Sequence, residues 1–478
     1  MNLNAIDAAM ICKTIEIIRA MSLTMESRYY HTKIEVNLCK SLTGRDKIKA
    51  FFTTFGNSKP AFMKVLYNLG ILLFTALAHL ISPFNSRASL WVNGRKRWAE
   101  KIGDKIKPGD RTIWVHCASL GEFEQGRPVI EAIRKELPVY KLLITFFSPS
   151  GYEVRKNYEN ADCISYLPSD TPGNAAKFLN LVKPEMVIFV KYEFWNNYIS
   201  ALYRNKIPLY LISGIFRPGQ HFFKWYGSFF RAILRKFERI FVQDQPSLDL
   251  LCGIGIEKVT LAGDTRFDRV VQIAGSTENI PRLEQFRGTE KLFLAGSSWR
   301  QDEEIVAEYI NRFPDRMKWV FAPHEIDTSN IQRLEKLFRV KYARFSEYTD
   351  VSSDARVLII DNIGMLSSAY RYAYIAGIGG GFGKGIHNIL EPACWGIPVV
   401  FGPNHEKFRE AVDLKKKGGA KSFLNFDEFK SILDLWLTDS ELYTNSAAMS
   451  AKYVKENTGA TEIIIKGIAK KDINKQHS

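Results

Sequence analysis

From Arg111 onward, short apolar runs rich in β-formers alternate with stretches of helix length, and the alternation occurs twice. Runs at Thr112–His116, Lys141–Phe146, Met186–Val190, Leu209–Ile212 and Arg239–Val242 make one series. A second series follows at Leu292–Ala295, Lys318–Ala322, Val357–Ile360, Tyr374–Ile378 and Pro398–Phe401. Helix-length stretches such as Gly126–Lys135 and Pro172–Leu181 lie between them. Strands joined by helical crossovers pair in parallel, and parallel sheets are covered on both faces. The pattern predicts an α/β chain of two successive Rossmann-like domains facing a cleft, over residues 87–272 and 273–466. The polar stretch Arg269–Gly288, with Pro281, is the expected linker, and residues 467–478 are expected to form a polar tail.

Ahead of the first strand the chain changes character. Residues 1–62 hold no apolar run long enough for a core and no secretory signal. They read as a weakly ordered extension, or as sequence upstream of a start at Met63. Val65–Ser86 then runs for 22 residues without Asp, Glu, Lys or Arg. A helix needs about 20 apolar residues to cross a bilayer, and Asn68, Thr75 and His79 interrupt this one. The basic flank of Arg87, Arg95, Lys96, Arg97 and Lys101 favours leaving the remainder in the cytoplasm. A membrane-anchor helix over 63–86, spanning or interfacial, is expected ahead of a purely internal one.

Charge and cysteine usage narrow the partners. Lys and Arg number 66 against 51 Asp and Glu, a net charge of +15, which calls for an anionic partner: nucleic acid, anionic lipid or a phosphorylated substrate. The six cysteines form no CxxC pair, which argues against a zinc ribbon and for a reducing compartment.

Ligands of open parallel sheets bind beyond the carboxyl ends of the strands, so polar residues there are the candidates. After the first strand comes His116-Cys-Ala-Ser119-Leu-Gly121-Glu122-Phe-Glu124, with a helix expected from about Gln125. A carboxylate near a helix N-terminus has its charged form favoured, as a general base requires; the bland alternative is that Glu122 only caps the helix. Lys191-Tyr-Glu193-Phe-Trp195-Asn196-Asn197 follows another strand of the same series, and two carboxylates in unlike environments can divide acid–base and charge-stabilising roles. Arg266, in Ala262-Gly263-Asp264-Thr265-Arg266-Phe267-Asp268, is a cation for an anionic leaving group, or a turn with an exposed salt bridge.

In the second series, Gly296-Ser297-Ser298 precedes a helix and offers backbone N–H groups to a phosphate; Phe321-Ala-Pro323-His324-Glu325 is a similar strand-end loop. Gly379-Gly-Gly-Phe-Gly383-Lys384-Gly385 follows a strand, and such a loop lets backbone approach a phosphate closely. It is neither a P-loop nor a GxGxxG turn. Asn388 and Glu391, three apart, are expected on one helix face, with Glu391 accepting ribose hydroxyls. Nucleotide-sugar binding is the expectation here. In Phe216–Phe237, basic and aromatic residues interleave, which suits stacked nucleic-acid bases, anionic lipid or a helix with its aromatics turned inward. The upstream apolar segment favours lipid.

In order, HCASLGEFEQGRPVI, YEFWNN, AGDTRFDRV, AGSSW, APHE and HNILEPACWGIPVVFGP resemble the 3-deoxy-D-manno-octulosonic acid (Kdo) transferases of lipopolysaccharide assembly, from about Met63 to Lys466. The resemblance implies a GT-B glycosyltransferase with acceptor on the N-terminal domain and CMP-Kdo on the C-terminal one. It implies inverting, metal-independent transfer to lipid IV-A at the cytoplasmic face of the inner membrane, with CMP-Kdo as donor substrate, no cofactor and no nucleic-acid partner. By motif, Glu122 is the expected general base, and Glu193 and Arg266 the expected transition-state stabilisers. Pro323, His324, Ile363, Gly364, Met365, Asn388, Ile389, Leu390 and Glu391 match stretches that contact CMP; Ser297, Ser298, Gly383 and Gly385 join them from the loop reading. The family usually has Lys at Arg266, Pro-Arg at Pro323-His324 and Gly-His at Ile386-His387. The reading from another class is a catalytically silent, membrane-associated nucleotide-sugar-binding protein of the same fold.

Overall fold

A computed structural model describes residues 59–276, 278–349 and 354–475; the extension expected over 1–62 lies, up to residue 58, outside the described residues. The chain forms two compact units. One runs to Thr265 and takes in the chain again from Thr461; the other is Arg266–Ala460.

The first unit is built on seven parallel strands: β1 Thr112–Cys117, β2 Lys141–Phe146, β3 Cys163–Tyr166, β4 Met186–Val190, β5 Leu209–Gly214, β6 Arg239–Val242 and β7 Val259–Leu261. Their order is β3-β2-β1-β4-β5-β6-β7. Every residue of β1, β4 and β5 is buried, because helices cover both faces; branched and aromatic side chains suit such a setting. One face holds Trp114, Phe178, Phe189 and Tyr198, the other Ile113, Phe123, Ile144 and Ile188. The order reverses direction between β1 and β4, and that switch point is where doubly wound sheets bind ligands. Register matters there: His116 of β1 lies between Thr145 of β2 and Phe189 of β4.

The second unit repeats the plan with β8 Leu292–Ser298, β9 Lys318–Pro323, β10 Tyr342–Arg344, β11 Val357–Ile359, β12 Ile375–Ile378, β13 Val399–Phe401 and β14 Ala420–Ser422. Their order is β10-β11-β9-β8-β12-β13-β14, all parallel, so the reversal falls between β8 and β12. The ten predicted runs all appear as strands. The four strands outside them (β3, β7, β10 and β14) are short, and β7 and β10 contain no fully buried residue.

Two boundaries differ from expectation. Most of the expected linker is helical, Thr265–Ser276 and Pro281–Arg287. Phe267, Val270, Leu283 and Phe286 are buried in the second unit's core; two pairs at i,i+3 spacing suffice to seat an otherwise polar stretch. At the other end, residues 461–466 return to the first unit, and the expected polar tail begins inside the helix Ala460–Lys475. Ile464, Ile465 and Ile468 of that helix pack into the first unit's core with Ile113 and Val115.

The apolar segment forms the helix Lys59–Ile81, and Phe62–Ile81 is long and apolar enough to cross a membrane. One flank is nevertheless docked on the first unit. Tyr67 Oη donates to Asp170 Oδ2 at 2.5 Å, Asn197 Nδ2 donates to Asn68 Oδ1 at 2.8 Å, and Thr75 Oγ1 donates to Ser169 Oγ at 3.2 Å. The opposite flank exposes Val65, Leu69, Leu72, Leu77 and Leu80, and Phe84 just beyond is 90% exposed. Two of the polar residues that interrupt the apolar run, Asn68 and Thr75, thus help tie it down, whereas His79 faces the Thr75 carbonyl of its own helix.

Most aromatics of Phe216–Phe237 point inward. Phe216, Phe222, Phe229 and Phe237 are buried in the first unit's core, which leaves no ladder of exposed rings for bases. Trp225 and Tyr226 are the exceptions, 80% and 40% exposed. Their segment neighbours the apolar helix, where the Tyr67 and Phe229 rings lie 6.3 Å apart.

Candidate active site

At the β1/β4 switch point the first unit gathers two carboxyl groups, an imidazole and two indoles. The helix after β1 begins at Leu120 rather than Gln125, which puts Glu122 in its first turn. Glu122 Oε2 accepts from the backbone N–H of Ala118 at 2.5 Å and of Ser119 at 3.3 Å. The capping alternative is therefore present in the structure, and it also holds the carboxylate at a helix N-terminus, where negative charge is favoured. Burial, followed by the charge of Glu193, pushes the Glu122 carboxyl up to about 8; the Ala118 N–H and the Lys191 cation pull the other way.

Glu193 lies deeper and is 5% exposed. Its Oε2 is 3.0 Å from His116 Nε2 and accepts from Trp195 Nε1. Burial pushes this carboxyl up to about 8, against the pull of the Trp195 hydrogen bond. His116 is fully buried, and burial lowers its pKa to about 4, so the ring is neutral near pH 7. Its Nδ1 faces the Thr145 hydroxyl at 2.8 Å and the Thr145 carbonyl at 3.0 Å, and the hydroxyl accepts from Trp114 Nε1 at 2.7 Å. Lys191, between β4 and Glu193, has φ = 68°. A left-handed lysine is uncommon, and such strain concentrates at functional sites. His116 and Lys191 are quoted within the motifs but not selected by them; strand register and backbone strain single them out.

Arg266 belongs to the second unit. It lies in the first turn of the helix Thr265–Ser276 rather than in an exposed turn, and its Nη1 donates to Glu410 Oε1 at 2.8 Å. Glu410 is 8% exposed, so this cation is oriented by a buried carboxylate.

The remaining candidates cluster at the β8/β12 switch point and the adjoining strand ends. Ser297 has φ = 49°. The Ser298 hydroxyl is committed to Glu303 Oε1 at 2.8 Å. The phosphate seat expected there is partly filled from within, because Asp302 Oδ2 accepts the N–H of Trp299 at 3.1 Å and of Gly380 at 2.9 Å. The glycine loop needs its glycines. A Cβ on Gly379 would stand 2.2 Å from the Ser297 carbonyl oxygen, and one on Gly381 2.5 Å from the Gly402 nitrogen. Gly385 has φ = 140°, whereas Gly383 has room for a Cβ.

Asn388 precedes the helix Leu390–Cys394 rather than sharing a face of it. The two side chains still meet: Asn388 Nδ2 donates to Glu391 Oε1 at 3.0 Å, and Ser367 Oγ donates to Oε2 at 2.6 Å. Ile389 and Leu390 are buried beneath them. Pro323 ends β9, and His324 follows it, exposed. Ile363 is 88% exposed beside Gly364 (φ = 103°), and Met365 caps the helix Leu366–Ala369. Residues from three strand ends form a stack that sequence spacing does not announce. The Trp299 and His324 rings lie 4.6 Å apart, His324 and His387 4.5 Å, and Trp299 Nε1 donates to His387 Nε2 at 2.9 Å.

Residues 96–269 match the family model described as 3-Deoxy-D-manno-octulosonic-acid transferase (kdotransferase). The 3-deoxy-D-manno-octulosonic acid transferase of Aquifex aeolicus (strain VF5) is 29% identical over 323 residues, 66% of this chain and 83% of that protein. The protein of the same name from Haemophilus influenzae is 23% identical over 389 residues, 78% of this chain and 90% of its own. Among solved structures, the UDP-GlcNAc 2-epimerase of Neisseria meningitidis bound to UDP-GlcNAc superposes with a TM-score of 0.55. It is 18% identical and covers 75% of this chain and 100% of its own, a likeness of fold alone. Two Rossmann-like units in series are the composition of a GT-B glycosyltransferase. The family model over residues 96–269 and these relatives together support a 3-deoxy-D-manno-octulosonic acid transferase, a glycosyltransferase.

Proposed function

We propose that the protein transfers Kdo from CMP-Kdo to lipid IV-A with inversion, without a metal ion, at the cytoplasmic face of the inner membrane. The observation that carries this reading is the pair Glu122 and Glu193 at the β1/β4 switch point, one capping a helix and the other buried against His116. Glu122 takes the proton of the acceptor hydroxyl as that oxygen bonds to the anomeric carbon of Kdo. The bond from that carbon to the CMP phosphate breaks, and the phosphate leaves with the electron pair. Backbone at the glycine loop and the cation of Arg266 serve the departing phosphate. Glu391, oriented by the bonds it accepts from Asn388 and Ser367, serves the ribose hydroxyls.

The apolar helix supports the membrane part. Its outer flank of leucines and the neighbouring Trp225 form an apolar surface on a +15 chain, which suits an interfacial helix seated on anionic lipid. A spanning helix would forfeit the bonds of Tyr67, Asn68 and Thr75 to the first unit. Incubation with a CMP-Kdo-generating mixture, lipid IV-A and EDTA, followed by mass spectrometry of the lipid, tests the reaction. A gain of whole Kdo units is expected; unchanged lipid beside intact CMP-Kdo contradicts it.

A further inference from the structure

We propose that His116 is a positioning residue: as a neutral hydrogen-bond acceptor for Glu193, it keeps the proton of the carboxyl pair on Glu193 and leaves the negative charge on Glu122. The inference rests on the proposed role of Glu122 as the base.

Three observations carry it. Nδ1 of His116 lies 3.0 Å from the Thr145 carbonyl oxygen, which can only accept. That places the ring hydrogen on Nδ1, shared with the Thr145 hydroxyl at 2.8 Å, and turns the Nε2 lone pair toward Glu193 Oε2 at 3.0 Å, where the Trp195 N–H also donates to it at 3.2 Å. Next, the two carboxyls are unequal in kind. Glu122 is half-buried and takes two backbone N–H bonds at a helix N-terminus, which favours its charged form. Glu193 is buried beside a basic nitrogen and, apart from Trp195, gains little for its charged form. Finally, the negative charge of Glu193 is itself a cause that raises Glu122. A proton held on Glu193 removes that repulsion and frees Glu122 to ionise, the pattern by which neighbouring carboxyls divide their roles.

Other charged groups set the background. Asp170 is held by Tyr67, Asn197 and Tyr198; Lys191 follows β4; Arg95 lies at the end of the helix Ser86–Gly94. Asp170 and Arg95 act on His116 with opposite signs, and Lys191 acts on Glu122. In the transfer step the acceptor proton goes to Glu122, and the proton on Glu193 stays where it is.

Two variants of the full-length protein separate this role from packing. His116→Phe keeps a ring but removes the acceptor, whereas His116→Gln supplies a carbonyl oxygen in its place. The expected result is an acid limb of kcat/KM that moves up by about one pH unit in His116→Phe. The rate would then fall about tenfold at pH 7 and recover toward wild type at pH 9. His116→Gln should keep the wild-type limb. Equal losses in both variants at every pH would assign His116 to packing alone and overturn the proposal. Independently of turnover, the protonation of Glu193 is read by 13C NMR of carboxyl-labelled glutamate, assigned with Glu193→Gln. A protonated Glu193 at pH 7 that ionises at lower pH in His116→Phe supports the proposal. An ionised Glu193 at pH 6 in the wild type overturns it. Should the NMR result hold while no Kdo is transferred, the failure lies with the reaction assigned above and not with the pair.

Discussion

The Tyr67 hydroxyl, on the largely apolar helix Lys59–Ile81, donates to Asp170 Oδ2 at 2.5 Å, and the same carboxylate accepts from the backbone N–H of Asn197 and Tyr198 at 3.0 Å each. One aspartate thus fastens the apolar helix to the loop that follows β3 and to the helix that begins after Trp195. The segment carrying Glu193 and Trp195 is braced by that helix.

This arrangement predicts that membrane binding and folding are separable along a single helix. Replacing Leu69, Leu72 and Leu80 together by Gln removes apolar surface that is exposed in the protein. Each loses roughly 1–2 kcal/mol of transfer free energy. Sedimentation with vesicles of phosphatidylethanolamine and phosphatidylglycerol should show binding reduced by at least about tenfold, with thermal stability little changed. Tyr67→Phe should do the reverse, costing about 1–3 kcal/mol by removing a hydrogen bond to a buried carboxylate that keeps its backbone donors, while vesicle binding persists. Undiminished binding of the triple variant would dismiss the interfacial role.

Stability should carry the imprint of the buried carboxyl. Folded Glu193 titrates at about 8, against 4.5 for an unperturbed glutamate. Between those values the folded chain keeps a proton that the unfolded chain has lost. This stabilisation is complete below about 4.5 and declines as pH rises toward 8, by up to about 1.4 kcal/mol per pH unit. Glu193→Gln has no such proton to lose. Its melting temperature relative to wild type should climb from pH 5 to pH 8 and then level off, whatever constant offset the lost contacts impose. A difference independent of pH would show that Glu193 is ionised throughout.

Within the glycine loop, neighbouring positions should behave in opposite ways. Gly379→Ala places a methyl 2.2 Å from a backbone carbonyl oxygen and 2.6 Å from the Ser298 Cα. Backbone cannot yield as a flexible side chain can, so several kcal/mol of stability and the binding of CMP should be lost. At Gly383 the nearest atom is 3.6 Å away, so Gly383→Ala should fall within about 0.5 kcal/mol of wild type. Calorimetric unfolding together with CMP titration checks both, and equal effects would refute the loop geometry.

The sequence disclosed the fold where burial was complete. β1 and β4 are hydrophobic on both faces, and their runs and the loops after them stand out, which is why Glu122 and Glu193 were legible. Short edge strands such as β7 and β10 were not, since half-exposed residues carry no continuous apolar signal. The polar composition of Arg269–Gly288 hid two short amphipathic helices whose few buried residues decide their place. Of the isoleucines of the last helix, Ile464 and Ile465 read as the end of the second domain and Ile468 as tail, because their partners, Ile113 and Val115, are about 350 residues away in sequence. Contacts between side chains were the least legible. His116 with Glu193 and the stack of Trp299, His324 and His387 depend on strand register, which no local motif encodes.

The most direct test of the account is single-turnover transfer by Glu122→Gln. The amide still accepts from the Ala118 N–H, so the helix cap survives, but it cannot take a proton. With CMP-Kdo and lipid IV-A supplied, the account predicts a rate lowered by about 10²–10⁴ while CMP binding, measured calorimetrically, stays within a few-fold of wild type. Transfer at the wild-type rate would contradict the assignment of Glu122 as the base, and a wild-type protein that binds CMP yet never transfers Kdo would leave the silent binding protein as the correct reading.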